Sequence, residues 1–331
     1  MLNRRAVLVG ASATALALSS PVVIRAQGNI RLRISTSVPP SDFMAMALGK
    51  FKQKITDAKI GIDVEVYPAS SLFKQGTEVQ ALQRGNLEMS TMSAFEVAQQ
   101  MPEFGFMNRA YLFRDHDHLR KVFDGQIGSD YYAAVAKGME LEILATMYSG
   151  TRHVDLRKKR TVAGPDDLNG VKLRMPSGPD WLLLGRSLGA SPVPMAASEM
   201  YLAMRTGTID AVENSISIIN GNKLYEVSEQ IVLTAHMLQP VFLTIADQTW
   251  KKMSDEQRSV VKKEALAAAK LNDDDRLADE LSNVDELRRR GLSVDTVDVS
   301  SFRKRADDVY AQEASAKVWD QDLIKRVNET V

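Results

Sequence analysis

Between Ile30 and Thr91 the sequence switches repeatedly between the period of a strand and the period of a helix, and that order constrains the fold more than any other feature. Ile30, Leu32 and Ile34 alternate with Arg31, Arg33 and Ser35, the two-residue period of a half-buried strand. Met44, Leu48, Phe51 and Ile55 then recur at helical spacing behind Ser41 or Asp42, either of which can cap the helix. Ile62, Val64 and Val66 return to a strand. Val79 and Leu82 lie on a second helix that stops at Gly85, where a left-handed cap costs little, and Leu87, Met89 and Thr91 form a third strand. Strands joined through crossover helices run parallel, so an α/β architecture is expected.

The order recurs. Val171, Leu173 and Met175 alternate as a strand, a helix runs from about Asp180 to Leu188, and Gly189 ends it. Glu199 to Asp210 then echoes Glu78 to Glu88: an acidic residue, a helical turn or two, a glycine and a short strand. A chain of 331 residues is long enough for two lobes that each bury a core, and the segment from Gly150 to Gly164 falls near their crossing point. Ser254 to Arg290 holds neither proline nor glycine, Ser254 and Gln257 fit a capping box, and Gly291 supplies the stop. One long helix is the natural reading. Its apolar side, including Val261, Leu271 and Val284, is broken by Asp273-Asp274-Asp275, read as a solvated face, so the helix is expected to brace both lobes. The expected division is 28–149 with 240–279 in the first lobe and 150–239 with 280–331 in the second.

The first residues read as a signal peptide, 1–26: Arg4 and Arg5, an apolar stretch from Ala6 to Leu18, then Ile24-Arg25-Ala26 as a cleavage site. The apolar stretch is shorter than the ~20 residues a spanning helix needs. Adjacent arginines suggest the twin-arginine route, but Asn3 and Val7 depart from its usual pattern and leave the general secretory route open. Export to the periplasm follows either way. The chain has no cysteine, which excludes disulfides, thiolate metal sites and a cysteine nucleophile in that compartment. Basic and acidic residues stand at 42 each, and loss of Arg4, Arg5 and Arg25 with the leader tips the balance to the acidic side, which argues against a nucleic acid partner.

In open α/β sheets ligands bind beyond the carboxyl ends of the strands. Arg152 follows the Ile143 to Met147 strand, Arg174 lies within or ends the Val171 to Met175 strand, and Asn214 follows the Ile209 to Val212 strand. A guanidinium pairs bidentately with a carboxylate and an amide can add a donor beside it. On spacing alone, an ion pair on the surface or between lobes is the plainer account of either arginine. Thr91 and Ser93 end the third strand and Asp42 starts the first helix; they can read a ligand hydroxyl, or Ser93 and Asp42 can simply cap helices. Glu213 can receive a ligand hydroxyl or pair with a cation. Trp181 opens the helix after Arg174 and can wall a pocket or fill a core. Glu199 suits the positive end of its own helix. The run Asp115-His116-Asp117-His118 invites a metal, though a short charged loop is the blander account. His153 and His236 are isolated in sequence. No glycine-rich phosphate loop and no adjacent nucleophile and base appear, so neither an enzyme nor a cofactor is expected.

The residues that carry these groups also carry a resemblance. Gly170 to Arg174 (Gly-Val-Lys-Leu-Arg), Leu188 to Met195 (Leu-Gly-Ala-Ser-Pro-Val-Pro-Met) and Glu199 to Asn214, with Tyr201, Ala203, Gly207 and Asp210 at their places, resemble the signature of the periplasmic binding subunits of TRAP transporters, the tripartite ATP-independent, dicarboxylate-type group. Tyr67-Pro68, Leu72 and Gly85 to Glu88 extend the likeness over nearly all of the chain beyond the leader. The resemblance implies a two-lobed periplasmic binding protein of the Venus flytrap kind that closes on a small organic acid, with Arg174 gripping the carboxylate and Arg152 and Asn214 assisting. It also implies delivery to a membrane permease driven by an ion gradient, usually of sodium. A monomer that takes a monocarboxylate such as a sugar acid or hydroxy acid is expected, with a sensing subunit for a membrane receptor as the alternative. Ala197 stands where sialic-acid-type relatives have phenylalanine, Ser215 where proline is usual and Phe73 where glycine is common, so sialic acid is not the expected ligand.

Overall fold

The computed structural model describes residues 29–331, and the expected signal peptide lies outside the described residues. Strands β1 (Ile30–Ser35), β2 (Ile62–Tyr67) and β3 (Met89–Ser93) run parallel with β1 in the middle. Helix α1 (Phe43–Ala58) links β1 to β2; Asp42 caps it by accepting the Met44 amide at 2.9 Å, and Met44, Leu48, Phe51 and Ile55 are all buried. Helices α2 (Glu78–Gln83) and α3 (Ala94–Gln100) flank β3, and Gly85 at φ 73° makes the turn between α2 and β3. Helices α4 (His116–Asp124) and α5 (Gln126–Met139) lead into β4 (Leu141–Leu156). The second set comprises β5 (Lys172–Met175), α6 (Pro179–Ser187), β6 (Ser191–Pro194), α7 (Met200–Thr206), β7 (Ala211–Ser215) and α8 (Ile216–Gly221). Strand β8 (Gln230–Ala246) follows, then α9 (Asp247–Trp250), α10 (Asp255–Arg289), β9 (Ser293–Thr296), α11 (Val299–Gln312) and α12 (Gln321–Glu329).

Among the described residues nine strands form one sheet in the order β2-β1-β3-β8-β4-β7-β5-β6, with β9 beside β8. The long strands β4 and β8 are antiparallel to each other. One end of β8 pairs with β3 and the opposite end of β4 pairs with β7, so the two strands carry the sheet from one lobe to the other. Their length corrects two expectations: Arg152 and Asn214 lie inside β4 and β7, not after shorter strands, with Asn214 opposite His153. At the crossing, Gly150 has φ 97° and the pairing of β4 with β8 shifts between Tyr148 and Thr151. A Cβ at this position would lie 2.5 Å from the Ser215 Cβ, so the bulge needs glycine for both its backbone and its space.

Helix α10 spans both lobes. Val261, Ala265, Ala268 and Ala269 join the core of α1, β1 and β2, whereas Leu287 joins the core of Met200, Met204, Val212 and Ile219. The acidic triplet is not simply a solvated face. Asp274 and Asp275 are exposed, but Asp273 is buried and accepts the Tyr148 amide at 2.8 Å. Asn272 Nδ2 donates to Tyr148 O at 2.8 Å, and Glu280 Oε1 accepts the Thr151 amide at 2.8 Å. These side chains satisfy backbone groups that the Gly150 bulge takes out of the strand ladder. The Asp115 to His118 run is a helix start, not a loop: Asp115 caps α4 by accepting the His118 amide at 2.8 Å. Among the described residues no group of three or more His, Asp or Glu could hold a metal.

Candidate functional site

The two lobes face each other across a cleft of about 640 Å³, part of it open to solvent, lined from β3 and α3 on one side and from β4, β5, β7 and α6 on the other. Arg174 lies on β5, opposite Val193 of β6. The Met195 amide donates to Met175 O at 2.9 Å, which pins the segment after β6 to the end of β5, and Met195 O in turn accepts Arg174 Nε at 2.8 Å. Arg174 Nη2 donates to Gln75 Oε1 at 3.1 Å, from the opposite lobe. Among the described residues no carboxylate pairs with Arg174, and its Nη1 has no protein acceptor. Burial, the largest influence, pushes the guanidinium down to about 9; Arg152 acts in the same direction, and Glu213 and Glu199 oppose it.

Arg152 is in the opposite situation. Its Nε donates to Glu213 Oε2 and its Nη2 to Glu213 Oε1, both at 2.6 Å, and Nη1 donates to Gln239 Oε1 at 2.6 Å. Burial alone would raise the Glu213 carboxyl, but the Arg152 charge and hydrogen bonds from His236 and Arg152 hold it at about 2. Burial lowers His236, which is therefore neutral. An ionised Glu213 can only accept, so His236 carries its proton on Nε2, 3.0 Å from Glu213 Oε2, and its Nδ1 accepts the Thr234 hydroxyl at 2.8 Å. Glu213 is fully buried and does not line the cleft. Of its two expected roles, pairing with a cation is the one it takes.

Trp181 lines the cleft and is also core: it is 1% exposed, packs edge-on to Phe95 at 6.2 Å, and lies 5.0 Å from Arg152 Cζ in cation–π geometry. Asn214 presents its amide to the cleft; Oδ1 accepts the Ser215 amide at 3.0 Å, which leaves Nδ2 as a donor. Thr91 and Ser93 line the opposite side. The Thr91 hydroxyl donates to that of Thr36 at 2.7 Å, and Ser93 forms a capping box with Glu96 at the start of α3. Asp42 lies behind the wall, 1% exposed, because capping α1 and accepting Arg276 Nη2 at 2.7 Å keep it in the interior.

Six further polar residues of the lining were not singled out from the sequence: Ser37, Gln75, Glu96, Ser149, Asn222 and Gln239. Gln75 lies in the loop beyond β2 and Glu96 in the first turn beyond β3, so inspecting the carboxyl end of every strand would have reached both. Gln239 is a lone amide in the apolar run of β8 and carries no comparable signal. Ala197 also lines the cleft; its amide donates to Gln75 Oε1 at 3.0 Å, so the glutamine occupies space beside the small side chain.

The arrangement is a buried cation without a carboxylate partner, beside the Asn214 amide donor and facing the Thr91 and Ser93 hydroxyls, suited to gripping a carboxylate. Comparison with known proteins agrees. Residues 34–317 match the model of the family described as bacterial extracellular solute-binding protein, family 7. The sialic acid-binding periplasmic protein SiaP of Vibrio cholerae is 26% identical over 298 residues, covering 90% of this chain and 92% of that one. The C4-dicarboxylate-binding periplasmic protein DctP of Rhodobacter capsulatus is 31% identical over 268 residues, covering 80% of this chain and 78% of that one. The crystal structure of a TRAP periplasmic solute-binding protein from Roseobacter denitrificans, with 3-deoxy-D-manno-oct-2-ulosonic acid bound, superposes with a TM-score of 0.88 at 32% identity, covering 92% of this chain and all of that one. This chain belongs to family 7 of the bacterial extracellular solute-binding proteins.

Proposed function

We propose that the protein captures a small monocarboxylate, such as a sugar acid or hydroxy acid, and delivers it to the membrane permease of a TRAP transporter, without chemical change to the solute. The observation that carries this reading is Arg174: a buried guanidinium in the cleft with no carboxylate partner among the described residues, a charge that costs free energy until an anion compensates it. In this reading Arg174 holds the carboxylate, Asn214 Nδ2 donates beside it, Arg152 contributes through its face and its field, and Trp181, Thr91 and Ser93 shape the remaining wall. The relatives named above bind acids with one carboxylate, sialic acid and 3-deoxy-D-manno-oct-2-ulosonic acid, and C4-dicarboxylates with two. The moving bodies we propose are 28–149 with 240–279 and 150–239 with 280–331, hinged where β4 and β8 cross. Export through a signal peptide at 1–26, action in the periplasm as a monomer, and a permease driven by an ion gradient complete the proposal.

The test is a thermal-shift screen of refolded, ligand-free protein against small carboxylates and their uncharged amides. A ligand at a thousand times its dissociation constant adds ~4 kcal/mol, enough to raise the melting temperature by several degrees. Stabilisation by acids and not by amides is expected. Removing one partner of a buried charged contact costs about 2–5 kcal/mol, so Arg174→Ala should weaken binding by well over tenfold. Equal affinity in that variant would remove Arg174 as the anchor.

A further inference from the structure

The cleft holds an acid to which the binding of one carboxylate gives no role. Of the residues lining the cleft, Arg152, Arg174 and Glu96 are the ionisable ones. Glu213 already neutralises Arg152 in a bidentate pair, so a ligand finds one uncompensated cation, Arg174. Glu96 stands in the first turn of α3, 7% exposed, and its Oε2 accepts both the amide of Ser93 at 2.9 Å and the hydroxyl of Ser93 at 2.7 Å. Two donors on one oxygen leave Oε1 free for a ligand. No cation pairs with Glu96 among the described residues; the titratable groups that bear on it from neighbouring helices are Glu78, the first residue of α2, and Tyr131 of α5.

We propose that Glu96 sets the charge class of the solute: the cleft accepts an acid with one carboxylate, held at Arg174, and a hydroxyl or carbonyl, held at Glu96 Oε1, and turns against a second carboxylate as Glu96 ionises. The inference rests on Arg174 as the anchor and adds a second recognition point. One free cation balances one carboxylate. A second carboxylate would be desolvated beside Glu96 with no cation to receive it, and like charges brought together in an interface weaken binding. Burial pushes the Glu96 carboxyl up to about 8, with Ser93 opposing and Glu78 adding to the rise. Near neutral pH the proton therefore sits on Oε1, since Oε2 is occupied by donors. A hydroxyl can accept from the protonated form or donate to the ionised one. A second carboxylate is tolerated only while Glu96 keeps its proton, so discrimination against it grows with pH.

The experiment pairs acids of equal length, erythronate with tartrate and galactonate with galactarate, in calorimetric titrations of ligand-free wild type and Glu96→Gln at pH 5.5 and 8.5. Thermal melting of the variant confirms that it folds. The expected wild-type result is a preference for the monocarboxylate of roughly tenfold or more at pH 8.5 that narrows at pH 5.5. Glu96→Gln keeps hydrogen-bonding capacity without the charge, so its preference for the monocarboxylate should shrink and lose its pH dependence. Equal wild-type affinity for both members of a pair, or a preference that Glu96→Gln leaves unchanged in size and pH dependence, overturns the assignment. Failure of every carboxylate to bind overturns the anchor reading itself and this inference with it.

Discussion

At the scale of single residues, burial decides what each ionisable group does. Arg152 and Arg174 read alike in the sequence, yet Glu213 neutralises one and leaves the other to the cleft. Asp155, on β4 between β7 and β8, shows the cost of burial without a cation. It is fully buried, pairs with no cation among the described residues, and burial pushes its carboxyl up to about 7 against the opposing Ser228 hydroxyl. Its folded pKa is raised, so the stability linked to its protonation is complete below its unfolded value near 4 and is lost as pH rises through about 7. Asp155→Asn should therefore melt within a degree or two of wild type at pH 5 and several degrees higher at pH 8.5. A difference that stays constant across that range would show that Asp155 does not titrate in the fold. Spacing and strand ends made Arg174, Arg152, Asn214, Trp181, Thr91 and Ser93 legible as candidates, and all six line the cleft. Glu213 and Asp42 do not, because the pairing that buries each comes from residues far apart in the chain, Arg152 and Arg276. Such pairing leaves no trace in local sequence.

At the scale of elements, the alternation of β1, β2 and β3 with helices could be read directly, as could α10 with its cap at Ser254 and its stop at Gly291. Strands β4 and β8 could not be read at full length. Both are buried along nearly all their course, so neither shows the polar alternation that marks a one-sided strand, and both carry bulges that break the register. The polar residues in the middle of α10 were misjudged for a related reason. A helix facing solvent and a helix facing an interrupted backbone both call for polar side chains. Asp273→Ala removes the acceptor of the buried Tyr148 amide and the contacts to His116 and Arg120, of which Arg120 keeps Asp124. The expected loss is about 1–3 kcal/mol of unfolding free energy in urea titrations. Substitution at the exposed neighbour Asp274, whose partner is Lys270 on the same helix, should cost under about 1 kcal/mol. Equal effects at the two positions would mean that α10 does not support the bulge.

At the scale of the whole molecule, contacts across the cleft mouth join the two lobes. Gln75 reaches Arg174 and the Ala197 amide, and beside it Lys74 Nζ pairs with Glu199 Oε1 at 2.9 Å. Both members of that pair are largely exposed and neither lines the cleft, so they touch the contact between the lobes and not the ligand, while the Glu199 charge is also felt at Arg174. An exposed pair contributes about 0–1 kcal/mol. If closure is near balance without ligand, that small term shifts the closed fraction, and apparent affinity falls in proportion to the competent fraction. Lys74→Glu places two acids together and should weaken binding of any acid that the cleft takes by roughly two- to fivefold at low salt, with less effect at 0.5 M salt, where the Debye length shrinks below about 5 Å. Combining Lys74→Glu with Glu199→Lys restores the pair in reverse and should recover most of the affinity, although neither residue touches the solute. Recovery in the double variant, read by calorimetry against both single variants, would tie affinity to closure of these two lobes. Additive losses would place the effect in the lobes separately and leave Gln75 as the contact that links closure to the anchor.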